Sequence, residues 1–148
     1  MAVRMELSRI LIRELNDLQI IELREVQNGD GADDEKTPAR SFPIVIGLPE
    51  AQAIERRLKG LTIKRPQTHD LLGNLITELG AELLSVTITD LAEHTFFATL
   101  DIRAPDSKVV HVDSRPSDAI AIGIAQDVPI YVAEHVLDSA VSDDTESA

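Results

Sequence analysis

"DSRPSDAIAIGIAQD", residues 113–127, decides how the chain is read. Its Ala/Ile run has no polar face, so a helix formed from it must be buried on all sides. Pro116 is suited to a first helical position and keeps Arg115 out of helical geometry, which predicts a helix over about 116–126 with Arg115 at its cap. The first turn is nevertheless crowded with Asp113, Ser114, Arg115, Ser117 and Asp118. These groups either brace a buried helix or hold something at its end. Asp118 is placed to accept a backbone N–H of its own first turn, as the acid of a capping box does. Arg115 is expected to pair with Asp113 or Asp118.

Outward from this helix the chain alternates strands and helices. Strands are expected at 3–12 with a bulge, 19–26, 42–47, 82–89, 94–103, 108–113 and 128–132. "PEAQAIERRLKG" (49–60) and "THDLLGNLITELG" (68–80) carry helix start and stop signals. In the second, Thr68 is the expected cap, and Leu71, Leu72, Leu75, Ile76 and Leu79 form an apolar stripe. "NGDGADDEKTPA" (28–39) is a polar connection. The expected fold is α+β: a mixed sheet of six to seven strands with three main helices, one compact domain over 1–137 and an acidic, disordered tail over 138–148. A short echo links "IVIGLPEAQAI" to "VHVDSRPSDAIAI", aligning Glu50 with Asp118, and is read as shared capping grammar rather than duplication.

Composition narrows the function classes. The chain has 148 residues, no Cys or Trp, and a formal net charge of –12. Without Cys there are no disulfides, thiolate metal sites or cysteine nucleophiles. No apolar run is long enough to span a membrane, and the N-terminus lacks a signal-peptide core, so a cytoplasmic protein with no membrane contact is expected. The acidic balance and the scarcity of aromatic residues weigh against broad, tight nucleic-acid binding. The stretch 48–69 is locally basic, however. No phosphate-binding glycine loop, zinc spacing or nucleophile elbow is present.

Two clusters could carry chemistry. In "DSRPSD", a helix N-terminus with Arg115 and Ser117 suits a phosphate, and Asp113 and Asp118 are oxygen ligands of the kind that hold magnesium or manganese. In "KRPQTHDLL", Arg65 precedes a helix whose first turn holds His69 beside Asp70, where imidazole can act as general acid or base. His111 lies two residues from Asp113 on one strand face and is weighted as an ordinary strand residue.

The segments "FPIVIGLPEAQAI", "KRPQTHDLL", "LGAELLSVTITDL", "TFFATL", "VDSRPSDAIAI" and "PIYVAEHVL" resemble the bifunctional nuclease domain family over roughly residues 3–137. The resemblance implies a compact, self-associating α+β domain with nuclease activity on DNA and RNA. It directs attention to Glu50, Arg65, His69, Asp70, Asp113, Arg115, Ser117 and Asp118 without assigning their roles. The functional expectation is metal-assisted phosphodiester hydrolysis with no organic cofactor. Asp113, Asp118 and Glu50 would be metal ligands, Arg65, Arg115 and Ser117 phosphate contacts, and His69, Asp70, Asp118 and Arg115 the catalytic set. The expected partners are a second copy of the chain and DNA or RNA. The rival is a non-catalytic oligomeric module in which the same clusters are caps and ion pairs, with a small phosphorylated ligand.

Overall fold

The computed structural model describes residues 1–13, 15, 18–27 and 38–141 in full and the backbone of 142–147. Most of the connection expected at 28–39 lies outside the described residues. The elements run β1 (Ala2–Leu11), β2 (Leu18–Glu25), β3 (Ser41–Gly47), α1 (Leu48–Leu58), α2 (Thr68–Glu78), β4 (Glu82–Ala92), β5 (Thr95–Arg103), β6 (Val109–Ser114), α3 (Pro116–Gln126), β7 (Ile130–Ala133) and α4 (Glu134–Ser147). The seven strands form one mixed sheet in the order β3-β2-β1-β7-β4-β5-β6. Only β4 and β7 pair in parallel. The expected bulge in β1 falls between Leu7 and Arg9.

The fold is thus α+β, as expected, with a fourth helix. The segment read as a tail from residue 138 continues α4, which buries Val136, Leu137 and Ala140 in the core. Its acidic composition masked that apolar spacing.

The echo between the two Pro-containing turns extends to topology. Each half runs β-β-β-α: β1-β2-β3-α1, then β4-β5-β6-α3, arranged on either side of β7. Alternate strand residues, such as Ile21 and Leu23, Ile44 and Ile46, or Val86 and Ile88, join one core with the helices. Phe42 of β3 stacks on Phe96 of β5 with ring centroids 5.6 Å apart, although four strands separate β3 from β5 in the sheet. The sheet therefore curls strongly, bringing its β3 edge towards the β4–β5 turn.

Helix α3 occupies the centre of this curl. It packs against α1, α2, β4 and β5. Ile120 and Ile122 are fully enclosed, and Gly123 meets β4 so closely that an added Cβ would lie 3.2 Å from Val86 Cγ2. The helix bounds match those predicted, with Arg115 as N-cap and Pro116 in the first turn.

Helix α2 departs from expectation. Its N-cap is Gln67 rather than Thr68, and its only buried residue is Gly73, seated under Gln126 of α3. Leu71, Leu72, Leu75 and Leu79 are 39–73% exposed, so the apolar stripe is largely uncovered in one chain.

The face of the sheet opposite the helices carries a buried acid. Asp101 on β5 accepts hydrogen bonds from Ser85 Oγ (2.7 Å), Thr87 Oγ1 (2.6 Å), Thr99 Oγ1 (2.9 Å) and His111 Nδ1 (2.7 Å). His111 is therefore more than an ordinary strand residue. Burial pushes the Asp101 carboxyl up, but the bonds from Thr87, His111, Ser85 and Thr99 outweigh it and hold the group below its ordinary value. A depressed folded-state pKa stabilises the fold fully above the unfolded value, about pH 4, and that contribution is lost as pH falls through the lower folded value. Asp101→Asn should lower the denaturant midpoint at pH 7 by an amount equivalent to about 1–3 kcal/mol. Its acid-unfolding curve should also be shallower than that of the wild type. Equal midpoints at pH 7 would show that the cluster contributes nothing to stability.

Candidate active site

The sharp entry into α3 sets out the first cluster. β6 ends at Ser114, Arg115 is extended with φ –69° and ψ 145°, and Pro116 starts the helix. This geometry swings the Arg115 side chain across the helix N-terminus towards α1. Arg115 Nη2 donates to Glu50 Oε1 at 2.5 Å, while Nε and Nη2 both reach Asp118 Oδ2 at 2.9 Å. Glu50 is 8% exposed and sits in the first turn of α1. Its carboxylate folds back against Gly47, where an added Cβ would lie 2.8 Å from Oε2. A side chain at position 47 would have to displace the Glu50 carboxylate. The Glu50 hydrogen bond, then that of Asp118, raises the Arg115 pKa, so the guanidinium is firmly cationic.

The second cluster meets the first. His69, in the opening turn of α2, places Nε2 2.9 Å from Asp118 Oδ1, across 49 residues of sequence. A carboxylate only accepts, so His69 Nε2 carries the hydrogen and Nδ1 is left as the second ring nitrogen. Nδ1 has no hydrogen-bond partner among the described residues. Glu50, Arg115, Asp118 and His69 thus form one chain of contacts. They line a cleft of about 660 Å³ together with Asp113, Thr68 and the apolar side chains of Leu72, Leu100, Val112 and Ile122.

Asp118 spends one oxygen on His69 and the other on the guanidinium of its own N-cap residue, Arg115, and makes no cap bond to a backbone N–H, contrary to the capping-box expectation. Asp70 takes that role in α2: its Oδ2 accepts the Gln67 N–H at 3.1 Å, completing a capping box, and it does not line the cleft. Arg65 is exposed and also lies outside the lining. Asp113 is exposed at the cleft, and Ser117 lines a neighbouring cleft instead. Arg115 pairs with Glu50 and Asp118; Glu50 was the partner that the sequence did not supply.

Two of the expected metal ligands, Glu50 and Asp118, are paired with Arg115. Among the described residues, no three His, Asp or Glu side chains are grouped to hold a metal ion. Arg115 occupies the space between Glu50 and Asp118 that a cation would need, so this arrangement as it stands does not fit a divalent ion.

Arg115 should be the keystone of this cluster. Arg115→Leu leaves Glu50 buried without its cation and should destabilise by about 1–3 kcal/mol in denaturant unfolding. Adding Glu50→Gln should recover part of the loss, because the uncompensated charge is removed. Strictly additive losses would show that the two side chains are not coupled.

Known proteins bear on this geometry. The model of the bifunctional nuclease domain family matches residues 33–144, which includes Glu50, His69, Asp113, Arg115 and Asp118. An uncharacterized protein of Mycobacterium tuberculosis is 40% identical over 131 residues, covering 88% of this chain and 71% of its own length. Bifunctional nucleases 2 and 1 of Arabidopsis thaliana are 27% and 26% identical over 97 residues. Each match covers 64% of this chain and 30% of the plant protein. With its family model matched over most of the chain, from β3 into α4 and including the cleft residues, the chain belongs to the bifunctional nuclease domain family.

Proposed function

We propose that the chain hydrolyses phosphodiester bonds of DNA or RNA in the cleft between α1, α2 and α3. The observation that carries this proposal is the contact chain Glu50–Arg115–Asp118–His69, which gathers two sequence-distant Arg-Pro clusters around one opening. The same chemistry is what a phosphodiesterase needs. Asp118 fixes the His69 ring and stabilises the imidazolium formed when Nδ1 takes a proton. In that role Nδ1 removes a proton from the attacking water as the new P–O bond forms and the ester P–O bond breaks. Alternatively, protonated His69 delivers a proton to the leaving oxygen. Arg115 Nη1 makes none of the contacts to Glu50 or Asp118 and is available to the negative charge that builds on phosphorus-bound oxygen. The plant relatives bearing the name bifunctional nuclease support this choice of reaction.

The test is digestion of single-stranded DNA and RNA by the purified chain, with magnesium, with manganese and with chelator. The wild type should cleave. His69→Gln should lower kcat by about 100-fold or more. Asp118→Asn should also cut kcat, by leaving the ring unoriented. Cleavage that is unchanged in His69→Gln would remove His69 from the reaction. No cleavage by the wild type under any of the three conditions would favour the binding-module alternative. The two ion conditions against chelator decide whether a metal takes part. A cytoplasmic location belongs to the same proposal; among the described residues no helix is long and apolar enough to cross a membrane.

A second copy of the chain is the proposed cover for α2. Leu71, Leu72, Leu75 and Leu79 are exposed, and Leu72 continues through the cleft to Val112 on β6, an edge strand that also exposes Val109 and Val110. Sedimentation of the wild type at micromolar concentration should return an oligomer, and Leu75→Lys should shift it to monomer. A wild-type monomer at high micromolar concentration would refute self-association through this face.

A further inference from the structure

A second cleft lies on the other side of Arg115, and its chemistry differs. It holds about 400 Å³ between the β3 edge, the β4–β5 turn and the N-terminus of α3. The curl of the sheet creates it by bringing Pro43–Gly47 opposite His94–Phe96. Glu93 and His94 form a two-residue turn with φ of 51° and 63°, which carries His94 at the rim, exposed.

Among the described residues no acidic side chain lines this cleft, whereas Glu50, Asp113 and Asp118 line the first. In a chain of net charge –12, that contrast is strong. The groups present are donors. α3 is eleven residues long, and no side chain caps its N-terminus. Ala119 N–H, bonded to Arg115 O at 3.0 Å, makes the first helical hydrogen bond, which leaves the N–H groups of Ser117 and Asp118 ahead of it without an intrahelical acceptor. Ser117 is 7% exposed, and its hydroxyl has no partner among the described residues. It is not a sealed orphan: among the described residues no fully enclosed side-chain oxygen lacks a partner, so the hydroxyl keeps some exposure at the cleft that Ser117 lines. A buried, unpartnered hydroxyl at an uncapped helix N-terminus, flanked by Arg115 and His94, is a seat for an oxyanion. The wall beside it is apolar, formed by Pro43, Val45 and Phe96, and suits a flat ring.

We infer that this second cleft binds the phosphate of a nucleotide, with the phosphate on Ser117 and the first turn of α3 and the nucleoside along the β3 edge. Arg115 then separates a donor-lined seat for one phosphate from the acid-lined cleft that holds His69. Binding of the phosphate itself does not depend on the nuclease proposal; only its identification with nucleic acid rests on that proposal.

The experiment uses the full chain, isotopically labelled, titrated with inorganic phosphate, adenosine 5′-monophosphate and adenosine, following backbone amide resonances. The two phosphate compounds should shift the Ser117 and Asp118 amides in a saturable way. The monophosphate should bind more tightly than phosphate, and adenosine alone should bind most weakly. Ser117→Ala should weaken monophosphate binding about tenfold, and His94→Gln should weaken it less. Raised salt should weaken it further. Shifts confined to the His69 cleft, no shift at Ser117 with tens of millimolar phosphate, or unchanged affinity in Ser117→Ala would each overturn the inference. A wild type that binds the monophosphate here yet cleaves nothing keeps this inference and loses the nuclease proposal. A wild type that cleaves nucleic acid without these shifts does the reverse.

Discussion

The guanidinium of Arg115 is the point on which the arrangement turns. It lies at the N-cap of the most buried helix, between an acid from the first half of the chain and an acid from the second. Glu50 could not be buried without a cation, because an unpaired carboxylate in that position would carry its full desolvation cost. Asp118 could not orient His69 as firmly if its second oxygen were loose. One side chain therefore fixes the relative placement of α1, α3 and, through Asp118, α2. The planar fork of arginine is what allows this, since it offers several N–H groups in fixed directions and a lysine would offer a single point charge.

Much of the frame was legible in the sequence because it is local. The bounds of α3 follow from Pro116 and from an Ala/Ile run with nowhere to put water, and the strands follow from alternation. The same locality explains the misreadings. Asp118 has the spacing of a capping acid, but a backbone N–H competes with Arg115 and His69, and a charged partner makes the stronger bond. Nothing near Asp118 in sequence reports His69, which is 49 residues away. Asp70, one of the expected catalytic set, is the capping acid of α2. The α2 stripe has the pattern of a core helix, and pattern alone cannot say whether the cover comes from the same chain or another.

Other elements were missed for want of a local signal. Glu50 was legible as a candidate through the echo between the two Pro-containing turns and through the family resemblance; that it pairs with Arg115 depends on α1 packing beside α3. His94 carries no motif, although a two-residue "EH" between strongly alternating segments marks a tight turn. Asp101 could have been noticed as an acid facing Ser85 and Thr87 across paired strands, with Thr99 two residues away on its own strand, a polar patch within otherwise apolar alternation. Its pairing with His111 follows from the β5–β6 register, in which the two residues are direct partners.

The two β-β-β-α halves also account for the division between the clefts. Each half ends in a strand-to-helix turn with proline near its start and an acid in the first helical turn, and the two turns meet because α1 packs against α3. Two carboxylates brought together in this way would repel each other, so the juncture requires a cation, and Arg115 of the second turn supplies it. The halves then differ in their surroundings. Towards α2 the opening gains His69 and Asp113 and becomes rich in titratable groups. Towards the β4–β5 turn it gains His94 and the Ser117 hydroxyl, with no acid among the described residues that line it. A negatively charged substrate approaching a negatively charged protein will settle where donors are not already matched by carboxylates. The α3 turn offers that on one side and the His69 ring on the other, with the guanidinium between them, so the proposed binding and proton-transfer steps would be separated by the width of one arginine side chain.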